Sequence, residues 1–446
     1  MKQWNKIIQS NKYVGVIGLA ELKPFKALRF TEKAGEISEL CCPPYDIIDD
    51  TRRREYLAKN EHNIIRLELP RDGEDYYAEA SKVLHSFLSE GILAEDDCDS
   101  FYIYGERFSV DGKEYEFKGI IGRVKIEEFS KGVVLPHEET LSKAKEDRFR
   151  LMQATMCNFS QIYSLYKDEN GETSADIERL SVDEPVVRFT DDDGVTHSLW
   201  RVTDKADCDR ISTEFANRKL YIADGHHRYE TALNFRNYLR ETGAADIGEQ
   251  CDYVMMMLVA MESSGLVVFP THRIVRGIKD FDKNKVLEVC GDCFSISEKT
   301  GINDMESLLK AEYAAGRTSF AYYIGGGKWY MMTLNSGDLL DKMCPEYSDA
   351  LKNLDVNVLH KLVLERSFGI DKENMSNQKN LSYTRDINEA VSLVDGGQAD
   401  CCFIMNPTRV SEISDVAAAG EKMPQKSTYF YPKLITGLVM NKFGDI

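Results

Sequence analysis

Lys219-Leu220-Tyr221-Ile222-Ala223-Asp224-Gly225-His226-His227-Arg228 is a short apolar run that stops at Asp-Gly and resumes as an amphipathic one. An apolar run of this length, closed by a turn signal, reads as a buried strand. Downstream, Tyr229, Ala232, Leu233 and Arg236 recur at i, i+3, i+4 and i+7, the spacing of one helix face, and the pattern runs to Glu241. Gly225 permits the tight turn and lets a ligand approach the backbone. His226, His227 and Arg228 then fall in the first helical turn, where N–H groups without helical partners and the positive dipole end attract anions. Arg228 is a bidentate phosphate partner, so with the two imidazoles it makes a compact phosphate cradle. Asp224 has three readings: a helix cap, a Mg²⁺ ligand, or the acceptor of a proton from an attacking hydroxyl. The competing reading of the whole turn is simple capping with a solvated first turn. Zinc held by His226 and His227 is disfavoured, because adjacent residues do not share a helix face.

Around this turn the pattern is that of a mixed α/β protein. Ile64 to Leu69 alternates like a strand, and Tyr76 to Leu88 carries apolar residues at helical spacing. Phe101 to Phe129 switches to period two, with Asp111-Gly112 as a hairpin turn. A charged helix through Lys145 to Thr155 leads to a short strand, Gln161 to Tyr166. Asp191 to Gly194 marks another hairpin tip. Tyr253 to Met261 reads as a buried strand pairing with Gly265 to Phe269. Phe320 to Ile324 and Lys328 to Leu334 flank Gly325-Gly326-Gly327 as a hairpin, and Cys402 to Met405 is a later strand. These shifts divide the chain into an N-terminal α/β region (1–130), a core carrying the Asp-Gly-His-His-Arg turn (131–280) and a C-terminal α/β region (281–446).

The 446 residues suffice for a proper core without staples, and 29% charged against 43% hydrophobic residues is ordinary globular composition. A net charge of −18 argues against nucleic acid and polybasic membrane binding, while leaving room for a small anion held by a few local cations. No stretch approaches the roughly 20 apolar residues of a membrane helix, and Met1 to Ser10 lacks a signal-peptide core, so a cytoplasmic protein is expected. Eleven cysteines, an odd number, fit free thiols in a reducing compartment. Cys290 and Cys293 form an isolated C-x-x-C without the second pair a zinc ribbon needs.

Other polar motifs supply candidates rather than signatures. Pro136-His137-Glu138-Glu139-Thr140 fails the H-E-x-x-H rule, since Leu141 stands where the second His belongs. Its functional reading is a loop bringing an imidazole and carboxylates to a site, with Glu138 or Glu139 as a Mg²⁺ ligand or base. Arg148 is a candidate phosphate contact on an otherwise solvated helix. Pro270-Thr271-His272-Arg273 falls at the end of a buried strand, where open α/β sheets offer a crevice, so His272 and Arg273 suit a second phosphate or a carboxylate. Lys426-Ser427-Thr428 would bring an ammonium to the same anion. Gly325-Gly326-Gly327-Lys328 is followed by Trp329 and fails the P-loop rule, and no G-x-S-x-G elbow is present.

The 224–228 turn resembles the phosphate-binding boxes of ParB partition proteins and sulfiredoxins, and the Asp-Gly-His-x-Arg turn of archaeal free-serine kinases. That resemblance implies a ParB/sulfiredoxin-like nucleotide-binding core, flanked here by further α/β regions, with the residues between Tyr166 and Lys219 as an insertion. Over nearly the whole chain, Cys42-Pro43-Pro44-Tyr45-Asp46, Leu135 to Thr140, Lys145 to Arg148, Asp224 to Arg228, Pro270 to Arg273 and Lys426 to Pro432 resemble the signatures of one bacterial and archaeal family, domain of unknown function 1015. Members often lie beside phosphoglycerate dehydrogenase and phosphoserine aminotransferase, which implies a link to serine metabolism. The expectation is nucleotide-dependent phosphoryl transfer on a small hydroxylated metabolite, with serine or phosphoserine leading, in the kinase or the reverse, phosphatase-like direction. Asp224, His226 and Glu138 would be catalytic, and Asp224 and Glu139 would hold Mg²⁺. Gly225, His227, Arg228, Arg148, His272, Arg273 and Lys426 would bind ATP or ADP. The alternative is a nucleotide-binding regulatory module without catalysis; a homodimer is compatible with either.

Overall fold

The computed structural model describes residues 20–444, apart from Glu139, Leu141, Ala244 and Gln378 and the side chains of 142–144, 245–248 and 376. The Mg²⁺ assignment to Glu139 and the reading of Met1 to Ser10 therefore lie outside the described residues.

Period-two runs become a nine-stranded sheet built from β1 (Leu22–Lys23), β2 (Phe101–Val110), β3 (Lys113–Lys125), β4 (Val134–Leu135), β5 (Ile162–Tyr166), β6 (Val187–Thr190), β7 (Thr196–Val202), β8 (Leu220–Asp224) and β9 (Tyr253–Ala260). Its order is β4-β8-β5-β9-β3-β2-β7-β6, with β1 also on β3. Asp111 and Gly112, both at positive φ, close the β2–β3 hairpin as the Asp-Gly pair predicts. Alternation divides the core between the two faces. Tyr102, Tyr104, Met255 and Met257 face one side, and Phe101, Ile103, Met256 and Leu258 the other. Three helices matter for the site: α1 (Tyr76–Ser89), α2 (Ser142–Thr155) and α3 (His226–Thr242). Tyr229, Ala232, Leu233 and Arg236 are all buried, as their spacing predicts, and α3 packs on the Phe101 face.

A second, six-stranded sheet is assembled downstream, of β11 (His272–Val275), β12 (Phe294–Thr300), β13 (Ser319–Tyr323), β14 (Lys328–Leu334), β15 (Leu381–Thr384) and β16 (Cys401–Met405), in the order β12-β14-β13-β16-β11-β15. A two-stranded ribbon joins β10 (Val267–Val268) to β17 (Phe430–Tyr431). The large sheet draws strands from both sides of residue 130, and the smaller one takes β11 from upstream of 280.

Two local expectations fail. Ile64–Leu69 is not a strand: Ile65–Glu68 is a helical turn started by the Asn63 side chain, whose Oδ1 accepts from the Ile65 N–H at 2.9 Å. Ile64, Ile65, Leu67, Glu68 and Leu69 are all buried, so the alternation does not separate a wet face from a dry one. Gly265 to Phe269 does not pair with β9 either, because β3 and β5 occupy both edges of β9. Val267 and Val268 pair with Tyr431 and Phe430 instead.

The last described segment returns over the large sheet. Phe430, Leu434, Ile435, Leu438 and Val439 join the core on the Tyr102 face, and Thr436 bridges Cys42. This return path brings residues 422–433 beside the start of α3. All eleven cysteines are free thiols, and all but Cys98 are buried.

Candidate functional site

β8 ends at Asp224, and Gly225, with φ 92°, turns the chain into α3 with no side-chain cap. A Cβ on Gly225 would lie 2.9 Å from Arg228 Nε, so only glycine leaves room for that guanidinium. Tyr45, Asp46, Glu138, Asp224, Gly225, His226, His227, Arg228, Gln425 and Lys426 line a cavity of about 90 Å³ at this junction.

Charge in the cavity is organised around Asp224. Its Oδ1 accepts from Lys433 Nζ at 2.6 Å and its Oδ2 from Arg228 Nη2 at 2.8 Å. Burial opposes the Asp224 charge, yet Lys433 and Arg228 outweigh it and hold the carboxyl well below the usual range. Lys433 is largely covered, which opposes its charge, yet Asp224 keeps it protonated above its ordinary range. Two cations share one carboxylate at the helix N-terminus, where the dipole adds positive potential, while Asp46 and Glu138 line the same cavity and offset part of it. Arg228 is not a free fork, because its Nη1 donates to the Gln161 carbonyl at 2.6 Å.

The imidazoles here are neutral. His137 Nδ1 donates to the Ile222 carbonyl at 2.5 Å and its Nε2 accepts from Thr428 Oγ1 at 2.9 Å, which fixes one tautomer. Burial pushes His137 down to about 4. The His137 N–H donates to His226 Nε2 at 3.3 Å, so the His226 proton resides on Nδ1. His226 is pushed well below its ordinary range by burial and by His137, whose ring lies 4.7 Å away edge-on. His227 is lowered by burial as well. Glu138 is raised by burial against the opposing pull of Lys426; its Oε1 accepts the Lys426 N–H, and Lys426 sits at φ 58°.

The remaining candidates are placed differently. Arg148 is buried outside this cavity: Nη1 donates to the Glu68 carbonyl at 2.6 Å, Nε and Nη2 hold Asp147, and the guanidinium lies 4.0 Å over the Tyr45 ring. It lines an adjoining cavity with Glu68, Ser160 and Arg228, and its hold on the first is through Tyr45. His272 and Arg273 do not form a crevice at a strand end; they lie within β11, whose four residues are all buried. His272 Nδ1 accepts from the Met405 N–H at 3.2 Å, and Arg273 reaches the cavity only through the Lys426 carbonyl, at 3.1 Å. Each Asp224 oxygen accepts from one cation, and Glu139, the other carboxylate expected to hold Mg²⁺, lies outside the described residues. Among the described residues, no group of three or more His, Cys, Asp or Glu is placed to hold a metal ion.

Lys433, Tyr45, Asp46 and Gln425 join the site without having been singled out in the sequence. Tyr45 and Asp46 belong to the Cys42–Asp46 signature, a cue without an assigned role. Lys433 follows the Lys426–Pro432 signature directly, but nothing local marks it as the partner of Asp224.

A mixed α/β fold with a cavity lined by charged side chains and imidazoles at a strand-to-helix junction is thus the class this chain belongs to. Residues 22–357 match the family described as protein of unknown function (DUF1015), and the chain is a member of it. No curated protein matches. Solved structures similar to this chain include a conserved hypothetical protein from Pyrococcus furiosus (15% identity, 73% of this chain and 95% of that one, TM-score 0.34). A free serine kinase in complex with AMP is 13% identical over 70% of this chain and 86% of that one, TM-score 0.32. SbnI with a C-terminal truncation from Staphylococcus aureus is 11% identical over 72% and 87%, TM-score 0.35. Among the described residues no helix is long and apolar enough to cross a membrane.

Proposed function

We propose that the cavity at the start of α3 binds the phosphates of ATP or ADP and transfers a phosphoryl group to or from a small hydroxylated metabolite, with serine and phosphoserine the leading pair. The observation that carries this reading is the Lys433–Asp224–Arg228 cluster, two cations held in place by one carboxylate at the helix N-terminus. Phosphoryl transfer asks mainly for positioning and charge neutralisation, and this arrangement supplies both.

In the kinase direction the metabolite's hydroxyl oxygen forms a bond to the terminal phosphorus, and the bond to the bridging oxygen breaks, leaving the diphosphate. The hydroxyl proton passes to Glu138, the carboxylate here whose burial raises its proton affinity. His226, neutral, offers its Nδ1 proton to the transferring group. Asp224 holds Lys433 and Arg228 in register rather than acting as base, and no step is assigned to Mg²⁺. The reverse direction uses the same atoms, with Glu138 returning the proton to the hydroxyl.

Phosphorus NMR of phosphoserine mixed with ADP tests the reading. New ATP resonances are expected, absent in Glu138→Gln, which should still bind ADP. Phosphoserine and ADP both left unchanged would overturn the transfer, and ADP binding alone would favour a regulatory module.

A further inference from the structure

We propose that a second cavity, between the helical stretch at 355–365, β15 and the 422–425 loop, is a binding site for a small organic carboxylate carrying an apolar body. This cavity of about 80 Å³ is separate from the one that surrounds Asp224, and the two share Gln425 in their walls. The inference does not depend on the phosphoryl reading.

Three buried polar atoms on its lining residues have no hydrogen-bond partner among the described residues: Asn357 Nδ2, His360 Nδ1 and Tyr383 Oη. Asn357 and His360 are only 3% and 2% exposed. The proton on His360 can be located. Its Nε2 accepts from Arg273 Nε at 3.3 Å, so Nδ1 carries the hydrogen and is an unused donor. Asn357 Nδ2 is a donor by nature, and the Tyr383 hydroxyl is free to donate. Leaving a buried donor unpaired costs about 1–3 kcal/mol, so three on one cavity point to an acceptor that arrives from outside.

The charge behind them agrees. Arg273, 1% exposed, touches the Thr271 and Lys426 carbonyls, His360 and the Tyr383 ring, and Glu138 is the carboxylate whose charge reaches it. Burial lowers its proton affinity to about 10, and it remains a cation at neutral pH. A guanidinium relayed through His360 and Tyr383 suits a single negative charge with two acceptor oxygens. Leu351, Met375 and Pro424 supply apolar wall for the rest of such a ligand. His360 sits in a π-helical stretch, Leu359–Glu365, a distortion that recurs at functional sites.

Thermal shift and calorimetry with hexanoate, phenylacetate and L-leucine, against hexanamide and inorganic phosphate, test the proposal on the full chain. At least one carboxylate should bind at millimolar concentration or better, and hexanamide should not. Tyr383→Phe and Asn357→Leu should each weaken that binding about tenfold or more. In the absence of ligand both variants should melt no lower than wild type, because each deletes an unpaired donor; a merely structural hydroxyl or amide would lower the midpoint. ADP binding, which reports the first cavity, should be unchanged in both. The site is overturned if no carboxylate binds, if hexanamide binds equally, if phosphate shows the same variant-sensitive binding, or if the variants bind as wild type does. Lower unliganded midpoints in both variants would overturn it too.

Discussion

Asp224 and Lys433 stand 209 positions apart in the chain and 2.6 Å apart in the fold, and that pair sets what the site can hold. Both side chains are largely buried, so each depends on the other for its charge. Lys433→Met leaves Asp224 with Arg228 alone. Arg228 still pairs the carboxylate, so the expected result is a loss of about 1.5–3 kcal/mol in urea denaturation, with weaker nucleotide binding. An unchanged denaturation midpoint would mean the pair contributes nothing. The contiguous half of the site, Asp224 to Arg228, was legible because strand end, turn and helix start are neighbours in sequence. Its other half was not: Lys433, Gln425 and Asp46 arrive by tertiary packing, and spacing carries no signal over such separations.

At the scale of elements, the strand–turn–helix junction depends on Gly225. Any side chain there must adopt φ 92° and displace the Arg228 guanidinium. Gly225→Ala should lower stability by about 1–2 kcal/mol in chemical denaturation and weaken phosphate-ligand binding along with it. Binding equal to wild type would dissociate the turn from the site. Hairpins and amphipathic helices such as α1 and α3 could be read from period alone, because one face is wet and the other dry. That condition fails at Ile65–Glu68, where nearly every residue is buried. It fails as well at Gly265–Phe269, where β9 has no open edge to offer.

For the whole molecule, buried histidines set the pH range of stability. His137 and His272 are both pushed down to about 4, and His226 and His360 lie well below their ordinary value, in each case chiefly by burial. Unfolded histidine titrates near 6.5, so below that pH the unfolded chain binds more protons and stability falls as pH falls toward 4. His197 works the other way. Burial opposes its charge, but Asp191 and Glu106 raise it to about 9, so its contribution is complete below about 6.5 and lost as pH rises through 9. A melting midpoint highest near pH 6.5–7, falling on both sides, is expected from calorimetric scans between about pH 5 and 9. A flat profile would contradict the neutral buried imidazoles.

On the proposed reading, the junction at the start of α3 grips a phosphoryl group. Titration calorimetry of ADP into the wild-type protein and into Arg228→Ala decides the point, since Asp224 keeps Lys433 and the fold should survive, as circular dichroism would verify. Saturable binding to wild type, weakened by about tenfold or more in the variant, is the predicted result. No heat of binding to wild type, or equal affinity in a folded Arg228→Ala protein, would contradict it.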